Sequence, residues 1–134
     1  MKSNPELTAL LAKLNPKLQP GEYAFCRVPA AAESACMAIP PLATFREAEG
    51  LSAVVLRSQA DAQRLVYDSV HRCITLTVHS SLTAVGLTAA VSGALATHGI
   101  SANVIAACAH DHIFVPTGDA PRAFAVIQAL SDRN

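Results

Sequence analysis

A chain of 134 residues with ten Lys and Arg against ten Asp and Glu carries no net charge at pH 7, so it lacks the basic footprint that nucleic acid or an anionic membrane surface requires. Neither is expected as a partner. Hydrophobic residues form 51% of the chain while aromatics form 4% and Trp is absent, which leaves a surplus of Ala, Val and Leu suited to close packing and a subunit interface. Residues 1–18 intersperse Glu6, Lys13 and Lys17 among apolar positions, unlike a secretory signal, and Thr83, Thr88 and Ser92 interrupt 82–96 short of a membrane span. Cys26, Cys36, Cys73 and Cys108 contain no Cys-x-x-Cys pair, which fits free thiols in a reducing cytoplasm better than zinc or a disulfide framework.

Asn4 is placed to cap a helix with Pro5 at its first position, and Leu7, Leu10, Leu11 and Leu14 share one face until Pro16. After Pro20-Gly21, Tyr23, Phe25 and Arg27 alternate with Ala24, Cys26 and Val28, a strand pattern. Residues 29–41 read as a loop. Segments 44–49 and 51–57 flank Gly50 as a hairpin, and Ser58 is expected to cap a short helix reaching Val66. Ile74, Leu76 and Val78 alternate with Thr75, Thr77 and His79 as a second-half strand. Ser80 or Ser81 is expected to cap the next helix, with Leu87, Val91 and Leu95 on one face and Gly99 just past its end. Segments 101–108 and 113–116 read as strands joined by a tight His110-Asp111 turn, and Asp119 as the cap of a final helix bearing Ala123, Ile127 and Leu130. The order predicts an α+β chain of two tandem ferredoxin-like halves, 1–68 and 69–134, with antiparallel sheets carrying helices on one face.

The tract 74–104, in which a strand runs into Val85-Gly86-Leu87, a small-residue helix and then Gly99-Ile100-Ser101, resembles an ACT domain. Segments 22–26, 43–51 and 110–116 are similar to a small bacterial family of tandem ACT proteins of unknown function. The family tends to carry aromatic residues where this chain has Cys108 and Ala109. The resemblance implies two ACT-type halves and a habit of binding amino acids, with no reaction.

The first N–H groups of a helix lack intrahelical partners and favour a carboxylate, and a glycine there permits close approach. This makes Ser80, Ser81, Leu82, Val85, Gly86 and Leu87 candidate ligand contacts, although the serines have capping as their ordinary role. The resemblance places ligands at the same loop. An amino acid also needs an acceptor for its ammonium, for which Asp111 and Asn103 are the side-chain candidates. Cys108, His110 and His112 would aim at one metal only on an uninterrupted strand, and a turn at His110-Asp111 removes that alignment. Ser80, His79 and Asp111 lack a nucleophile elbow, and Glu47 and Glu49 read as a solvated strand face.

No catalytic residue, metal or cofactor is therefore expected. The reading is a non-catalytic cytoplasmic regulatory module, homodimeric, that binds an amino acid or similar small metabolite at the strand-to-helix loop in the half or subunit interface. The rival is a ligand-free structural or interaction protein that docks onto an enzyme or transporter.

Overall fold

The structure, a computed structural model, describes residues 4–134. The chain separates into two units: one joins the described residues up to Pro20 with Arg72–Asn134, and the other is the continuous stretch Gly21–His71.

In the split unit, Asn4 caps α1 (Pro5–Ala12) by accepting the Leu7 N–H at 3.1 Å, with Pro5 at the first helical position. The chain then forms a short strand β1 (Pro16–Leu18), paired antiparallel with the end of β5 (Val70–Leu76). The sequence pattern itself shows only a helix stop at Pro16. A small-residue helix α4 (Leu87–Thr97) leads to the antiparallel hairpin of β6 (Asn103–Ala106) and β7 (Asp111–Pro116), and α5 (Ala120–Asp132) follows. The strand order here is β5-β7-β6.

Alternation along β5 sends Ile74 and Leu76 into the same core as Ile113 and Val115 of β7, under Leu87, Val91 and Leu95 of α4 and Ala123 and Ile127 of α5. Leu11 and Leu14 close this core from the N-terminal segment. A fully buried Leu such as Leu14 or Leu95 contributes ~1.5–3 kcal/mol relative to exposure. Helix α4 ends as its sequence predicts, with Gly99 at φ +69° and the Ile100 N–H returning to the Leu95 carbonyl at 3.0 Å.

The continuous unit contains β2 (Tyr23–Val28), α2 (Glu33–Ala38), β3 (Ala43–Glu47), β4 (Gly50–Leu56) and α3 (Arg57–Ala62). Its strands order as β3-β4-β2, with antiparallel register pairs such as Cys26↔Ala53 and Thr44↔Ala53. Ala24, Cys26, Val28, Cys36, Ala53, Val55 and Ala60 form its core.

Four local expectations need correction. The stretch read as a loop over 29–41 contains a 3₁₀ turn, Ala30–Ala32, and α2, because Cys36 is buried in the unit's core. The helix expected from Ser58 to Val66 runs from Arg57 to Ala62 without a side-chain cap. The second hairpin turns through 107–110, where the Ala107 N–H reaches the His110 carbonyl at 3.0 Å, so Asp111 opens β7. Asp119 does not cap α5, since its Oδ1 accepts from Arg122 Nη2 at 3.1 Å. No helix among the described residues is long and apolar enough to cross a membrane.

Candidate functional site

Beyond Leu76, the end of β5, the chain stays against the N-terminal segment, where the Thr77 hydroxyl donates to the Asn15 carbonyl at 2.9 Å. The following loop closes on itself, with the Ala84 N–H donated to the Ser81 carbonyl at 3.0 Å and the Ser81 and Thr83 hydroxyls 3.1 Å apart. The chain enters α4 through Gly86 at φ +100°, and no side chain caps the helix. The expected serine cap is thus absent, because the left-handed turn at Gly86 directs the chain into the helix well after Ser80 and Ser81. The Ala90 N–H bonds to the Gly86 carbonyl at 2.9 Å, so the N–H groups of Leu87, Thr88 and Ala89 have no intrahelical acceptor.

Beside this helix start lies a pocket of about 40 Å³, room for roughly three water-sized groups and hence for a carboxylate or ammonium head. Ser80, Ser81, Leu82, Leu87 and Asp111 line it together, with Ala84, Thr88, Ala106 and Ala107 completing the wall. The other sequence candidates lie elsewhere. Val85 is 77% exposed and outside the pocket lining. Asn103 pairs with Phe114, three residues along β6 from Ala106, or about 10 Å away. At Gly86, a Cβ would come 3.0 Å from Leu7 Cδ2, so the space beside it belongs to α1. Ala106 and Ala107 carry no sequence signal, because alanine is chemically silent and the turn falls at 107–110 rather than at His110-Asp111.

Two imidazoles flank the pocket sequence: His79 and His110 stand with ring centroids 4.8 Å apart, tilted by 45°. His110 Nδ1 is buried without a hydrogen-bond partner. His112 lies 3.0 Å through Nδ1 from the Thr75 hydroxyl, which also accepts from Gln19 Nε2 at 3.0 Å. Burial lowers the His112 pKa, His110 adds to the effect, and Asp111 opposes it. Among the described residues no group of three or more His, Cys, Asp or Glu is arranged to hold a metal ion.

Family models described as ACT domains match residues 3–72 and 68–132. The chain belongs to the ACT-domain family. A Vibrio cholerae protein of unknown function, described as a possible transport protein, is 45% identical with a TM-score of 0.85, covering 94% of this chain and 96% of that one. An Agrobacterium tumefaciens protein is 21% identical with a TM-score of 0.67, covering 87% of each chain. The ligand-free regulatory subunit of aspartate kinase from Thermus thermophilus is 10% identical with a TM-score of 0.68, covering 88% of this chain and 97% of that one. A comparison with curated proteins found no match. The chain is therefore a tandem ACT protein built from two ferredoxin-like α+β halves, and the distant likenesses extend to the fold alone.

Proposed function

We propose that this tandem ACT protein is a non-catalytic cytoplasmic regulatory module that binds an α-amino acid, or a small metabolite of similar charge, at the β5–α4 loop. In this reading residues 69–134 form the binding half and 1–68 its companion. The observation that carries the proposal is the pairing of an uncapped helix start with Asp111 in one small pocket. The free N–H groups and the positive helix end suit a carboxylate, and Asp111 suits an ammonium, so together they complement a zwitterion. The Thermus thermophilus subunit supports a regulatory role, since its description assigns regulation to a chain that this one covers almost entirely.

The test is a thermal-shift screen with the standard α-amino acids, followed by calorimetry. A ligand present at a hundred times its Kd stabilises the native state by about 2.7 kcal/mol. Failure of every amino acid and common small metabolite to shift the melt rules this function out. Met37, Ile39, Leu42 and Phe45, all exposed within one stretch of the continuous unit, favour a second reading in which that surface docks onto an enzyme or transporter.

A further inference from the structure

The two halves repeat the same order, β2-α2-β3-β4-α3 and β5-α4-β6-β7-α5, with strand orders β3-β4-β2 and β6-β7-β5. The counterpart of the pocket is therefore the β2–α2 loop, the start of α2 and the end of the β3–β4 hairpin. That place differs in kind. No glycine leads into α2; Pro29 opens the 3₁₀ turn, where the Ala32 N–H bonds to the Pro29 carbonyl at 2.8 Å and the Glu33 N–H to the Ala30 carbonyl. These donors are used internally, and α2 is only six residues long.

The side chains differ as well. Glu33, the first residue of α2, accepts from Arg46 Nη1 at 2.8 Å and Nη2 at 3.3 Å, so a two-point ion pair ties the helix start to the end of β3. In the split unit the first residue of α4 is Leu87 and β6 ends at Ala106, and both line the pocket. A carboxylate ligand at the first place would meet the Glu33 charge, while the Arg46 guanidinium is already engaged.

We infer that the chain holds one ligand site, in the split unit, and that the counterpart in the continuous unit is closed by its own carboxylate–guanidinium pair. The inference rests on the proposed function for the existence and place of the site and adds that it has no second copy in the continuous unit. The experiment is calorimetry on the full chain with each standard α-amino acid in turn. The expected result is one site per chain, weakened at least tenfold by Asp111→Asn or the pocket-filling Ala106→Leu, and kept at parent affinity in the Glu33→Ala/Arg46→Ala double variant. The double variant is expected to fold, because exposed ion pairs add little stability. Two sites per chain, or one site that neither pocket variant weakens, overturns the inference while leaving amino-acid binding intact. Binding to no amino acid overturns the proposed function and this inference together.

Discussion

Asp111 opens β7 opposite Ala106, where strand pairing holds its carboxylate at the pocket. A hydrogen bond to a charged partner contributes ~1.5–3 kcal/mol, so Asp111→Asn is expected to raise the Kd of a bound amino acid about tenfold or more. Calorimetry at fixed pH decides it, and an unchanged Kd assigns the ammonium to another acceptor. Two other residues set a pH response. Burial lowers the pKa of both His71, whose Nε2 lies 2.8 Å from Ser69 Oγ, and His112. Their folded pKa values fall below the unfolded one, so the neutral rings stabilise the fold fully above about pH 6.5 and this contribution is lost as pH falls toward the folded values. The urea midpoint is expected to drop between about pH 7.5 and about pH 5.5, with a smaller drop in His112→Gln. Leu87 is legible as a site candidate because the strand-to-helix change at 76–87 is written in hydrophobic periodicity, and Asp111 because an ammonium needs a carboxylate acceptor. Ala106 and Ala107 are not, since only tertiary pairing gives them a role.

At the scale of elements, the entry to α4 replaces one expectation with another. Ser81 faces Thr83 instead of capping the helix, so Ser81→Ala is expected to change stability by less than about 0.5 kcal/mol. Gly86 combines a positive φ with close contact to Leu7, and Gly86→Ala is expected to cost about 1–2 kcal/mol through the left-handed backbone alone. Denaturant unfolding of both variants checks the pair; a larger loss for Ser81→Ala would restore the cap. The strands β2, β3 and β4 and the helices α1, α4 and α5 could be read from alternation and turn residues. Helix α2 could not, because Pro29, Pro40 and Pro41 around it signal a loop while burial of Cys36 supplies what local propensity lacks. Strand β1 is only three residues long, too short to show a period, and owes its form to pairing with β5.

At the scale of the whole molecule, the N-terminal segment belongs with the end of the chain. Leu11 and Leu14 complete the core beneath α4 and α5, and β1 pairs with β5. A fragment of residues 69–134 is therefore expected to lose cooperative melting by circular dichroism, and a sharp melt at the parent temperature would contradict this. We also propose a homodimer for the intact chain, since β3 lies at the end of its strand order and carries Phe45, 72% exposed. Light scattering at high micromolar concentration checks the mass.

The split unit also sets a timetable for synthesis. Leu11 and Leu14 are made early, whereas their partners Ala123 and Ile127 arrive roughly a hundred residues later, a wait on the order of ten seconds during synthesis. The stretch Gly21–His71 has all of its own partners well before then. A chain truncated before α5 thus keeps β5, α4 and β7 against its N-terminal leucines but lacks the Ala123 and Ile127 side of that core, the kind of exposed apolar surface that chaperones and proteases recognise.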